Sequence, residues 1–85
     1  MNEPANNTAW VDRFGDVWVR LDDVTPYFDC NWWPLTDGPG WEEWARTGVG
    51  SPRTWATVQD YMPFTEADPT RTAQALDRVR QEAHR

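Results

Sequence analysis

The chain has no lysine and no isoleucine, and only one cysteine, one histidine and one serine. Each shortage removes a kind of chemistry. Without lysine there is no amine for a Schiff base and no ammonium to grip a phosphate. The lone Cys30 cannot close an intramolecular disulfide, which fits a reducing compartment. His84 stands one residue from the end of the sequence and is expected to fray. It is therefore a poor base for Cys30 or Ser51. No apolar run exceeds three residues, Val17-Trp18-Val19 being an example. A membrane helix needs about 20 and a signal peptide about 7–15. No spanning segment or secretory signal is expected, and a cytoplasmic location is.

Metal and acid–base patterns are equally sparse. Asp22-Asp23 with Asp29 lacks the alternation and terminal glutamate of a calcium loop. There is no zinc spacing and no glycine-rich phosphate loop. Glu42 and Glu43 are adjacent, and on a helix they point roughly 100° apart, which is wrong for an acid/base pair. No catalytic residue, metal or cofactor is expected, and the chain is not expected to be an enzyme.

What is present is unusual in composition. The 85 residues suffice for one domain. Net charge is -6, and 39% hydrophobic with 14% aromatic content is not a disordered composition. Seven tryptophans stand at 10, 18, 32, 33, 41, 44 and 55. At roughly 150–250 Å² each they could bury on the order of 1,000–1,700 Å². Most of these rings are expected in the core. Residues 1–68 carry net -8 and residues 69–85 net +2. The acidic body opposes nucleic-acid binding, and the basic end fits helix-dipole placement with local pairs such as Arg78 with Glu82.

Along the chain, residues 1–8 have no periodicity and read as a disordered lead-in to a single small domain, 9–85. Residues 9–23 predict a β-hairpin. Asp12 and Gly15 take the first and last places of a type I turn, with Gly15 in the left-handed conformation of a bulge. That register sets Val11 against Val17 and Trp10 against Trp18. A short third strand is expected around Tyr27 to Asn31, a loop over 36–40, and one to two helical turns over 41–46. Ser51 as cap and Pro52 as first residue predict a helix to Met62, ended by Pro63. Asp68 and Pro69 start a C-terminal helix over 69–84, with Ala73, Leu76, Val79 and Ala83 as its apolar stripe. The expected fold class is α+β: a small antiparallel hairpin or three-stranded sheet packed with two or three helices.

Trp32-Trp33-Pro34-Leu35 is the candidate contact site. Neighbours in extended chain point to opposite faces, so both rings cannot enter one core face. One reading leaves a ring in solvent as a hot spot, making Trp32, Trp33 and Leu35 protein-binding residues. The other buries both rings under helices on the two sides of a small sheet. Trp10, Trp32 and Pro34 lie near the spacing of a WW domain. That module needs a central aromatic pair followed by asparagine where this chain has Val17-Trp18-Val19-Arg20, so the spacing is set aside.

The string Trp10-x-Asp12-Arg13-x-Gly15-Asp16-x-Trp18 resembles the W-x-D-R-x-G-D-x-W hairpin of short proteins from actinobacteria and their phages. Thr54-Trp55-Ala56-Thr57-Val58 and Met62-Pro63-Phe64-Thr65 are similar to a later T-W-x-x-V segment that runs into G-P-[LF]-T, with Met62 in place of glycine. Together the matches cover about a third of the chain. Such proteins are commonly accessory products, and the resemblance implies no catalytic residue. The missing lysine and isoleucine, both with A/T-rich codons, agree with a GC-rich genome. The expectation is a small protein-binding accessory protein that engages a host or self protein, one form of it being a phage-encoded modulator of host machinery or defence. A homodimer is one form of this, and no membrane role is expected. The alternatives are an acidic DNA mimic and weak nucleic-acid association through the C-terminal helix.

Overall fold

The computed structural model of the chain describes residues 2–23, 29–35 and 49–83. Strand β1 (Thr8–Val11) pairs antiparallel with β2 (Val17–Arg20), and β2 pairs antiparallel with β3 (Trp32–Leu35). Helix α1 (Trp55–Val58) runs into a 3-10 turn (Gln59–Tyr61). The two-residue β4 (Thr65–Glu66) joins the other side of β1, and helix α2 (Pro69–Ala83) follows. The sheet order is β3-β2-β1-β4. The fold is α+β, with a four-stranded antiparallel sheet and two helices among the described residues. Among the described residues no helix is long and apolar enough to cross a membrane.

The hairpin has the expected register, with Val11 opposite Val17 and Trp10 opposite Trp18. The side-chain period of two then sorts the strands into two apolar faces. Ala9, Val17, Val19, Trp33 and Leu35 share one face with Leu21 and pack against Ala75, Leu76 and Val79 of α2. On the other face Trp18 and Trp32 pack with Val58, and Trp10, Trp55, Tyr61 and Phe64 close around them. Both faces of the sheet are therefore covered, α2 on one side and the α1 segment on the other.

Strand three lies later than its aromatic residues suggested. Of the expected strand, residues 27 and 28 are outside the described residues. The observed strand starts at Trp32 and includes Pro34. Proline is accommodated because Leu21 N–H donates to Asn31 O, so Asn31, Trp33 and Leu35 turn their backbone groups towards β2. Trp32 and Pro34 turn theirs outward, where no donor is required of Pro34. That outer edge is covered by the chain around 49–53. Trp32 and Arg53 exchange bonds of 3.0 and 2.7 Å, and Gly50 N–H donates to Pro34 O at 2.9 Å.

This pairing corrects the helix expected from Ser51 and Pro52. The residues before Thr54 are extended against β3, so the ladder wins over local helix signals. Thr54 is the actual cap, its Oγ1 accepting from Thr57 N–H. The helical turns expected over 41–46 and the loop over 36–40 lie outside the described residues.

Helix α2 begins as expected: Asp68 Oδ1 accepts from Arg71 N–H at 2.9 Å. It ends at Ala83 in the described chain. Its buried residues are Ala75, Leu76 and Val79, with Ala83 partly covered. Ala73 is exposed, so the stripe runs through Ala75 in its place; Leu76 and Val79 fix a face on which position 75, not 73, is nearest the sheet. Arg78 and Glu82 form the expected pair at 2.7 Å.

The segment before β1, read from its composition as a lead-in, makes contacts with the rest of the chain. Pro4 is buried, Glu3 accepts from the Trp32 indole, and Asn6 and Asn7 bond Asp22 and Arg80. The contacts are mostly polar and long-range, which is why no periodicity announced them.

Candidate functional site

The contact patch expected at Trp32, Trp33 and Leu35 is corrected by burial. Trp32 is fully buried, and Trp33 and Leu35 are buried beside it. Their side chains do alternate between faces as extended chain requires, but each face has its own cover. Trp33 enters the α2 core and donates its indole N–H to Leu21 O at 3.3 Å. Trp32 lies against Trp55 (ring centroids 5.2 Å apart) and Phe64 (6.5 Å). The reading with both rings under separate layers is the one the structure has.

Among the described residues, the large apolar side chain that reaches solvent is at the hairpin tip. Phe14 is 64% exposed, the large hydrophobic residue presented to solvent among those described. The turn that carries it is built around Asp12, which is only 6% exposed. Its Oδ1 accepts from Phe14 N–H at 2.8 Å and Asp16 N–H at 3.0 Å. Its Oδ2 accepts from the Trp18 indole N–H at 3.0 Å. A carboxylate has acceptor sites for all three, and hydrogen bonds to a charged acceptor are the stronger kind. Gly15 closes the turn at φ +86°, donating its N–H to Asp12 O.

The tip is also tied to the body. Arg13 N–H donates to Tyr61 O at 3.2 Å, and its guanidinium Nη1 donates to Met62 O at 3.3 Å. The Arg13 guanidinium carbon sits 4.6 Å from the Phe14 ring centre, a cation–π distance. Tyr61 meets the Phe14 ring edge-on at 6.2 Å and lies 5.4 Å from Trp18. An aromatic path thus runs from the exposed Phe14 through Tyr61 into the buried tryptophan layer.

These contacts give a physical account of most of the motif noted in the sequence. Trp10 donates to Thr8 Oγ1 at 2.9 Å, Asp12 holds the turn and Trp18, Arg13 anchors the tip, and Gly15 supplies the positive φ. Its chemistry is construction of a rigid hairpin. Sequence reasoning placed the turn but missed Phe14, the unassigned x of the motif. The signal available was a large aromatic at a central turn position, where a solvent-facing side chain is the default.

Among the described residues no cluster of histidine, cysteine, aspartate or glutamate could hold a metal ion. Cys30 is half-buried, and burial together with the neighbouring Asp29 carboxylate raises its thiol above the usual range. No family model, no curated protein and no solved structure matches this chain.

Proposed function

We propose that this chain is a small protein-binding module that offers the hairpin tip, Phe14 with Arg13, to a protein partner. The observation that carries the reading is an exposed Phe14 on a turn fixed by buried hydrogen bonds. Aromatic and arginine side chains are the residues that most often dominate binding energy. A tip already held in one conformation loses little freedom on binding, so more of the contact energy appears as affinity. The partner is a host protein or a second copy of the chain. Modulation of host machinery is the role that the resemblance to phage accessory proteins suggests.

The test is a single substitution. Phe14→Ser should leave circular dichroism native and lower the melting temperature only slightly, because its ring is mostly in solvent and its contacts with Tyr61 and Arg13 lie at the surface. The same variant should lose the specific protein retained from an actinobacterial lysate by the immobilised wild type. If self-association is the function, the wild type should be dimeric by light scattering and the variant monomeric. A retained partner and an unchanged mass in Phe14→Ser would reject the tip as the binding site.

A further inference from the structure

We propose that the outer edge of β4 takes up a short extended segment of a partner protein as a fifth strand, with the pattern apolar–basic–apolar and the basic residue opposite Glu66. The site shares with the function proposed above only the premise of a protein partner. Phe14 is not part of it, so the two can fail separately.

The two edges of the sheet differ in their cover. The β3 edge is covered by the chain's own residues, through the bonds between Trp32 and Arg53 and between Gly50 and Pro34. The β4 edge, at the other end of the strand order, is open among the described residues. Its backbone polarity follows from one bond: Ala67 N–H donates to Ala9 O at 3.0 Å. Ala67 and, two residues earlier, Thr65 therefore turn their backbone groups to β1. Glu66 between them turns its N–H and C=O outward. No residue among those described bonds to these two groups. An unpaired donor and acceptor on a sheet edge are the template on which another chain adds a strand.

The side chains around the edge define the occupant. An open groove of about 460 Å³ lies beside β4, lined by Val11, Thr65, Glu66, Ala67, Asp68 and Arg71. Thr65 and Ala67 lie opposite Val11 and Ala9, on the sheet face that carries α2. In an added strand, the residues on either side of the one opposite Glu66 send their side chains to this face. There they meet Val11 and Ala67, both only partly buried, which suits β-branched apolar residues. The residue opposite Glu66 points to the other face, beside an exposed carboxylate. An opposite charge stabilises such a cross-strand pair and a like charge opposes it. The same rule excludes a second copy: β4 against β4, antiparallel around Glu66, sets carboxylate beside carboxylate between chains of net charge -6. A basic segment is instead drawn in by the field of the whole chain. Pro63 and Pro69 bracket the strand, so the added ladder is short and side chains decide which segment binds.

The probe is an acetylated, amidated pentapeptide, threonine-valine-arginine-valine-threonine. Its two controls carry glutamate in place of arginine, or a methyl group on the arginine backbone nitrogen. Each is titrated into ¹⁵N-labelled wild type and Glu66→Arg protein, following the backbone N–H resonances. Glu66 is exposed, so Glu66→Arg should stay folded by circular dichroism. In the wild type the arginine peptide should move the Glu66 N–H resonance saturably, with smaller shifts at Val11 and Ala67. The glutamate peptide should bind about tenfold more weakly, since an attractive pair becomes a repulsive one. In Glu66→Arg the order of the two peptides should reverse. The methylated peptide should not bind, because the donor that meets Glu66 O is gone. Phe14→Ser should bind the arginine peptide as the wild type does, which separates this site from the hairpin tip. The proposal is overturned by the absence of a saturable shift at Glu66 up to about 5 mM peptide. Equal binding of the arginine and glutamate peptides, or a methylated peptide that binds as well as its parent, overturns it too. So does a Glu66 resonance that moves on dilution of the protein alone, which would give the edge to a second copy.

Discussion

The Asp12 carboxylate is the point where the hairpin is most vulnerable. Asp12→Ala removes acceptors from three donors at once, the N–H groups of Phe14 and Asp16 and the Trp18 indole. The two backbone donors belong to exposed turn residues and can turn to water, so each loss is about 0.5–1.5 kcal/mol. The indole N–H belongs to a buried ring and cannot, which adds about 1–3 kcal/mol for an unsatisfied donor. The expected cost is about 2–6 kcal/mol. A domain of this size has on the order of 4–13 kcal/mol in total. Urea denaturation followed by tryptophan emission should show a large fall in midpoint at unchanged slope, and the melting temperature should drop by at least about 8 °C. A double-mutant cycle isolates the key bond. Trp18→Phe removes the indole donor, so Asp12→Ala should cost about 1–2 kcal/mol less in that background than in the wild type. Strict additivity of the two substitutions, or a cost of Asp12→Ala below about 0.5 kcal/mol, would refute the account of the turn.

Gly15 has positive φ and no atom within 4 Å of where a Cβ would stand, so strain there is backbone strain alone. Gly15→Val should cost about 1–3 kcal/mol while Gly15→Asn stays within about 1 kcal/mol, and equal melting temperatures for the two would remove the positive-φ argument. Leu76→Asp places a charge under α2 and should destabilise by at least about 3 kcal/mol, with a urea midpoint independent of protein concentration. A concentration-dependent midpoint would instead place Leu76 between two copies. Asp29→Asn removes one of the influences that hold the Cys30 thiol protonated, so iodoacetamide should alkylate the variant faster than the wild type at pH 8. Equal rates would show that the carboxylate is not felt at the sulfur.

The features legible in the sequence were those encoded within a few residues. The Asp12–Gly15 turn fixed the hairpin register, and Asp68-Pro69 announced α2, because turns and caps are set by local backbone geometry. The errors fell where distant chain segments decide. Ser51-Pro52 carries a helix start, yet Trp32 offers backbone partners to Arg53, and the ladder prevails over the cap. Trp32 and Trp33 are adjacent aromatics whose exposure depends on whether a second layer exists, and Trp55, Val58 and Phe64 supply it from twenty or more residues away. The hairpin tip was placed, but the role of Phe14 was not, because exposure of one ring is a property of everything that fails to cover it. Ala73 and Ala75 are alike to a hydropathy count, and only the docking angle of α2 separates them.

Pro34 acts on strand order in a way its side chain does not reveal. In most half-exposed strands a one-residue slip is penalised because it turns apolar side chains out to water. Strands β2 and β3 lack that safeguard, since Val17, Trp18 and Val19 face Trp33, Pro34 and Leu35 with apolar groups on both sides. A slipped β3 would still be greasy above and below. It would, however, rotate Pro34 so that its missing N–H faced β2, breaking the β2–β3 ladder. The correct alignment is thus enforced by a hydrogen bond that one residue is unable to make. Proline, usually a reason to doubt a strand, here serves as the alignment key of a sheet that is apolar on both faces.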